Sequence, residues 1–196
     1  RGKSAQRLQL MAARLGAEAA AFEHCGPRLV ALRAVLARQL QAALQPLSGE
    51  HLRAAVRRMR EGSEASFLRL GAARAFQALR TELHDTLVEA ERNTHELEQL
   101  LQVSLTPLNA EFGFHLVLAP RPVLAPFQRE IDRVEAGYSR YLGVTQVWRL
   151  SGDAFAERFS RLLLSRLQVV FDGAAGEIEA WAQALGSQID EQFRER

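Results

Sequence analysis

Apolar residues recur every three or four positions between residues 151 and 196, which is the spacing of one face of an α-helix. The stripe consists of Phe155, Phe159, Leu163, Leu167, Val170, Ala174, Ile178, Trp181, Leu185 and Ile189. Ser151, Gly152 and Asp153 suit its start, because a short polar side chain there accepts the first free backbone N–H groups. A helix of about 40 residues is about 60 Å long and cannot bury such a stripe alone. The pattern therefore predicts a long closing helix with other helices along its length.

A second long stripe lies between residues 76 and 112 and predicts a second very long helix. Its members are Phe76, Leu79, Leu83, Leu87, Ala90, Thr94, Leu97, Leu101, Leu105, Leu108 and Phe112. Pro107 falls inside this pattern. Because proline removes one helical hydrogen bond, we expect a kink or a division of the helix there.

Shorter helices complete the expected fold. The apolar spacing predicts them over residues 4–24, 27–45, a short stretch after Gly49, and 126–142. Gly26 and Pro27 should separate the first two, because glycine commonly follows a helix end and proline opens a helix. We therefore expect an all-α fold, an elongated antiparallel helical bundle with two very long helices, in which residues 1–196 form a single bundle. The chain begins without methionine and its helical pattern reaches the last residue, so we expect a fragment of a longer protein.

Two glycines interrupt the closing helix at Gly173 and Gly176. Glycine lowers helix stability by about 1 kcal/mol relative to alanine, so its presence in a helix interior needs a reason. Either another helix crosses at close range, or the helix bends there as a hinge. Trp181 lies on the apolar stripe, and we expect it to be among the most buried residues, together with Leu185, Ile178 and Phe159.

The segment 112–127 is an apolar, proline-rich loop. Its three prolines exclude a helix through the second half and favour extended backbone. The loop should lie at one end of the bundle, where two alternatives are open. It either caps the hydrophobic core, which we favour, or presses apolar side chains into a membrane interface with a cation at the headgroups. The candidate membrane or partner contacts are Phe114, Leu116, Val117, Leu118 and Arg121.

Four further residues are candidates for contacts with other chains. Leu100, Phe171 and Phe193 lie off the main stripes or at their end, which suits contacts with a second copy of the chain or with further segments of the parent protein. Trp148 lies in a linker and is a candidate partner contact. These positions predict self-association.

The composition offers little chemistry. A net charge of +2 provides no strong field for nucleic acid, and we expect no nucleic-acid partner. The one cysteine, Cys25, excludes an internal disulfide and a thiolate zinc site. The tripeptide Gly2-Lys3-Ser4 lacks the earlier glycine and the strand of a phosphate-binding loop. We therefore expect no catalytic residue, no cofactor and no metal, and we do not expect this chain to be an enzyme.

The region from residue 108 to residue 196 resembles bacterial dynamin-like large GTPases. The resemblance rests on residues 111–114 (Glu-Phe-Gly-Phe), 155–159 (Phe-Ala-Glu-Arg-Phe), 169–171 (Val-Val-Phe), 176–181 (Gly-Glu-Ile-Glu-Ala-Trp) and 188–190 (Gln-Ile-Asp). The first hundred residues match only as a run of long helices.

This resemblance implies the helical neck or trunk of such a protein without its GTPase head. The head, in the same parent chain, would drive movement that the helices couple to self-assembly and membrane remodelling. The expected location is cytoplasmic, or peripheral at the inner membrane. The alternative is a non-enzymatic helical scaffold or adaptor that binds a protein partner.

Overall fold

A computed structural model describes residues 2–64, 71–143 and 152–195 of the chain. The helices are α1 (Gly2–Leu44), a 3₁₀ turn (Gln45–Leu47), α2 (Gly49–Glu64), α3 (Gly71–Phe112), α4 (Ala125–Gly143) and α5 (Gly152–Arg194). Within these ranges the regular structure is entirely helical, which confirms the all-α prediction. Trp148 and the proposed helix start at Ser151 lie outside the described residues.

The expected break at Gly26–Pro27 is wrong, because α1 continues through both residues. The structure consequently has three helices of 43, 42 and 43 residues where two very long ones were predicted. Proline in a helix interior costs about 3 kcal/mol. Cys25 and Leu29, which flank it, are buried, and this packing offsets the cost.

Pro107 does not divide α3 either. Each proline leaves the carbonyl four residues earlier without its helical N–H donor. Pro27 and Pro107 are both exposed, so these two carbonyls lie on the solvent side of their helices. Val103, which precedes Pro107 by four residues, is itself exposed. Water can bond a carbonyl at such a position, and the helix tolerates the proline.

Side-chain contacts show the relative directions of the first three helices. Arg28 of α1 forms an ion pair with Glu111, near the end of α3. In α2, Gly62 lies beside Ala75, near the start of α3. The helices α1 and α2 therefore follow one another in line, and α3 returns beside both in the opposite direction. We call α1 with α2 the first column and α3 the second.

The rest of the chain supplies two more columns. Residues 113–124 run back along α3 as an extended segment, which we call the strap, and α4 continues it. These form the third column, and α5 is the fourth. The third column packs against α3 and α5, and so does the first. The first and third columns thus lie at opposite corners, and so do α3 and α5.

The hydrophobic interior has two parts. The first core lies where α2, α3, α4 and α5 meet, and includes Leu52, Leu83, Leu87, Ile131, Phe159 and Ile178. The second core lies between α1, α3, the strap and α5, and includes Cys25, Leu101, Leu116, Trp181 and Leu185. We call the two regions the helical half and the strap half. Of the four residues predicted to be among the most buried, Ile178 and Leu185 are almost completely buried, which confirms the prediction for them. Trp181 and Phe159 are also buried, but at 6% and 5% they are more exposed than most of the core.

Gly173 allows a close helix contact. A Cβ atom at this position would lie 2.9 Å from Cε1 of Phe127, which is the first aromatic residue of α4. The helix α5 continues through Gly173 and Gly176 without a break. Of the two alternatives for Gly173, the geometry therefore favours a close crossing.

Candidate functional site

The strap begins where α3 ends. Gly113 has a φ of 65°, in the left-handed region that glycine adopts without strain, and this turns the chain out of the helix. Pro120 and Pro122 then prevent helix formation. Pro126 lies in the first turn of α4, where its missing N–H would have no helical partner. The strap is therefore bounded by local sequence signals at both ends.

Side chains in the first part of the strap alternate between inside and outside, as in a β-strand. Phe114 and Leu116 are each only 4% exposed and belong to the second core. His115 is exposed, and Val117 is 67% exposed. The strap thus contributes one apolar face to the core without being helical.

An extended chain that packs on helices must find partners for its backbone polar groups. Asn109 of α3 supplies two of them. Its Oδ1 accepts a hydrogen bond from the Leu116 N–H at 3.0 Å, and its Nδ2 donates to the Leu116 carbonyl at 2.9 Å. The amide side chain therefore acts as a neighbouring strand would.

Three residues of α5 bond the other edge of the strap. Gln192 accepts from the His115 N–H at 2.7 Å and donates to the His115 carbonyl at 3.1 Å. Gln188 accepts from the Val117 N–H at 3.1 Å. The Trp181 indole donates to the Ala119 carbonyl at 2.8 Å. Hydrogen bonds from α3 and α5 together fix the register of the strap between them.

Arg121 anchors the second part of the strap to α3. Its guanidinium lies 3.3 Å from Glu91 and 3.3 Å from Glu98. All three side chains are half-buried, so each pair contributes about 0.2–1 kcal/mol. Arg121, which was expected to lie at lipid headgroups, is thus paired with these two carboxylates.

Thr94 lies near these charges, between the two cores. Its hydroxyl is buried and donates a hydrogen bond to the Ala90 carbonyl.

The expected position of the loop at one end of the bundle is wrong, because the strap runs along the side of α3 and α5. Of its four apolar candidates, Phe114 and Leu116 are buried and Leu118 is half-buried against the second core. Val117 alone among the four is exposed. This arrangement favours the core cap over the membrane tip.

The other predicted contact residues have different surroundings. Phe171 is 1% exposed in the first core, so the prediction that it contacts a second copy is wrong. Phe193 packs partly against the second core. Leu100 lies on an open groove of about 390 Å³ between α1 and α3, which Leu32 and Val35 also line. Leu100 is thus the one of the three that lines a surface groove.

Asn109, Gln188 and Gln192 were not identified from the sequence as site residues. Each is a polar residue in a long helix, where it would be expected to face water. The contacts of Gln192 and Gln188 with the strap span 77 and 71 residues, so no local spacing signals them. Asn109 lies only seven residues before Leu116, but a single asparagine at that distance forms no recognisable pattern. Only the run of three prolines next to apolar residues marked this region as unusual.

A second charged cluster joins α3 to α4. Arg80 contacts Asp132 at 3.0 Å and Glu135 at 2.8 Å, and Nε2 of His84 lies 3.0 Å from Asp132. Partial burial acts to raise the pKa of Asp132, but the hydrogen bonds from Arg80 and His84 and their charges outweigh it. The pKa of Asp132 therefore lies below its ordinary value. The cluster holds the first turns of α4 against α3.

Within the described ranges, no group of three or more histidine, cysteine, aspartate or glutamate side chains could hold a metal ion. Over the same residues, no helix is both long enough and apolar enough to cross a bilayer. Comparison of the chain with protein-family models, curated proteins and solved structures finds no match.

Proposed function

We propose that this chain is the helical stalk and assembly region of a dynamin-like GTPase. In this role it couples movement of the GTPase head, in the same parent chain, to self-assembly and membrane remodelling at the cytoplasmic side of the inner membrane. The chain itself neither binds nor hydrolyses GTP.

The observation that carries this proposal is the length of the helices and the way both ends are fastened. Three helices exceed 40 residues, and each of that length spans about 60 Å. Ion pairs of Arg28 with Glu111 and Arg33 with Asp190 fasten one end. At the other end, Tyr138 packs edge-on against Phe159 with ring centroids 5.2 Å apart. An elongated antiparallel bundle fastened in this way can transmit a displacement over its whole length.

The strap supports the same proposal. It replaces a fourth helix beside the second core, and Asn109 and Gln192 fix it in one register. Hydrogen bonds depend on orientation. The half of the bundle that they close therefore resists sliding of its helices better than a half closed by apolar contacts alone. Resistance to sliding is what a mechanical stalk requires.

The test is the parent protein. We expect a GTPase domain next to this region in the parent reading frame, and a GTP hydrolysis rate per molecule that rises with protein concentration. Deletion of residues 1–196 should leave basal hydrolysis and remove its concentration dependence. An unrelated neighbouring domain, or a rate per molecule independent of concentration in the intact parent, would contradict the proposal.

The second candidate is a scaffold or adaptor without a GTPase. The open groove lined by Leu32, Val35 and Leu100 favours it, because an amphipathic helix of a partner protein binds such a groove with its apolar face. For this function, binding of the partner to the 196-residue chain should need no nucleotide. Leu100→Arg should weaken that binding, whereas the stalk function predicts no such partner.

A further inference from the structure

Gly176 lies at an open point on the surface of α5. A Cβ atom added at Gly173 would contact Phe127, whereas a Cβ atom added at Gly176 would meet no other atom within 4 Å. Glycine destabilises a helix interior relative to alanine, so intramolecular packing alone would favour a larger residue here. Gly176 is also exposed. Gly176 therefore leaves an open place on the surface of α5 that no other residue of the chain fills.

Two exposed aliphatic side chains lie on the same face of α5. Leu162 is 56% exposed and Val169 is 72% exposed. They are seven residues apart, and Gly176 follows after another seven, so the three lie along one line on the helix surface. This line, which we call the outer ridge, faces away from the buried stripe. Its exposed members are Leu162, Ser165, Val169, Gly176 and Ala180.

The charges beside the outer ridge are separated along the helix. Arg158, Arg161 and Arg166 flank its first part, and all three are exposed. The carboxylates of Asp172, Glu177 and Glu179 flank the following part and are also exposed. Only Arg161 among the six has an ion pair with another described residue, the exposed Glu157. The helix thus presents a basic segment and an acidic segment on either side of Val169.

We propose that two copies of the chain bind each other through the outer ridges of α5, in antiparallel orientation, with a two-fold axis at Val169. This deepens the self-association that is part of the proposed stalk function, and it rests on that function for its biological role. In this register Leu162 of each copy lies level with Gly176 of the other. The space left by the glycine accepts the leucine side chain, as a knob enters a hole.

Charge complementarity selects this arrangement. With Val169 at the axis, the basic segment of each copy lies level with the acidic segment of the other. Arg166 of one copy and Glu177 of the other then lie on one side of the interface, and Arg161 and Asp172 lie on the other side. A parallel pairing would instead place arginines against arginines, which is repulsive. An anionic membrane is a poorer partner for the ridge, because the carboxylates next to Gly176 would repel it.

Cross-linking tests the position of the axis. A residue on a two-fold axis meets its own copy, so Val169→Cys should form a disulfide-linked dimer under mild oxidation. The matched control is Val88→Cys, which places an exposed cysteine on α3 at an opposite corner. The native Cys25 is buried and can remain in both variants. Equal cross-linking of the two variants, or none at Val169→Cys, would overturn the proposal.

Sedimentation equilibrium tests the ridge itself. Gly176→Leu should raise the dissociation constant of the dimer at least tenfold, because it fills the space for Leu162. Circular dichroism should show unchanged helicity, since open space surrounds the position. The double variants Arg161→Glu/Arg166→Glu and Asp172→Arg/Glu177→Arg should each be monomeric, and an equimolar mixture of the two should restore a dimer. A wild-type monomer at all concentrations, or no restoration on mixing, would contradict the inference.

These outcomes are independent of the test of the stalk function. A dimer with these properties from a parent that lacks a GTPase domain would support the interface and refute the stalk. A monomeric 196-residue chain from a parent with such a domain would refute the interface alone.

Discussion

The helical half and the strap half bury similar apolar side chains but close their third column differently. In the helical half, α4 satisfies its own backbone and contributes only side chains such as Ile131 to the core. In the strap half, an extended chain takes the same place, and Asn109, Gln188 and Gln192 bond its backbone. A non-helical segment can therefore fill the place of a helix if its neighbours supply the missing hydrogen bonds.

The largest expected effect comes from Trp181, which joins α5 to the strap. Trp181→Ala should lower the free energy of unfolding by about 3–5 kcal/mol, because it removes a buried ring and the hydrogen bond to Ala119. Urea unfolding measures the change. Trp181→Phe, as control, should keep most of the packing and lose about 1 kcal/mol for the hydrogen bond. A loss below about 1 kcal/mol for the alanine variant would mean that the indole is a surface contact.

The core cap and the membrane tip are distinguished by a double change in the strap. Leu116→Ser with Leu118→Ser should lower the melting temperature by several degrees, since both side chains pack against the second core. Val117→Ser, as control, should leave it nearly unchanged, because that side chain is exposed. The wild-type chain should not float with liposomes. Flotation that the double variant abolishes, with an unchanged melting temperature, would establish the membrane tip instead.

Two glycines of α5, Gly173 and Gly176, test how closely α5 packs against α4 in the helical half. Gly176→Ala should raise the free energy of unfolding of the monomer by up to about 1 kcal/mol, as alanine does in an open helix position. Gly173→Ala should lower it by about 1–3 kcal/mol, because its Cβ would overlap the ring of Phe127. Thermal unfolding at low protein concentration compares the two. Equal stabilisation by both changes would show that α4 moves away from α5 without cost.

The smallest expected effect concerns Asp132, which binds α4 to α3. Because folding lowers its pKa, the carboxylate stabilises the fold at pH values above about 3.9, its unfolded-state pKa. This contribution is lost as the pH falls through the lower, folded-state pKa. Asp132→Asn should therefore be slightly less stable than the wild type at neutral pH and equally stable in strong acid. Melting temperatures across this range test it, and a difference that persists in acid would refute the role of the charge.

The helical faces could be predicted from the sequence because their spacing depends only on local geometry. Ile178 and Leu185 are buried as the stripe predicts. The continuity of α1 through Pro27 could not be predicted, because tertiary packing of its neighbours overrides a local penalty. Phe171 was missed for a related reason: it lies at the edge of the stripe, and the presence of α2 beside α5 decides that it is buried.

The candidate site was predictable only in outline. The prolines identified a non-helical, apolar segment, and this is what the strap is. Which of its side chains point inward depends on its register, and the register depends on Asn109 and on Gln192, which is 77 residues distant from His115. No local pattern contains the contribution of Gln192.

The partners of the strap on α5 also decide what a shortened chain could still pack. A chain that ends at Ile178 contains every member of the first core. The second core still lacks Trp181, Leu185 and Ile189, and the strap lacks Gln188 and Gln192. A released chain that ends between residues 178 and 181 therefore has every member of one core and an apolar surface of the other open to chaperones.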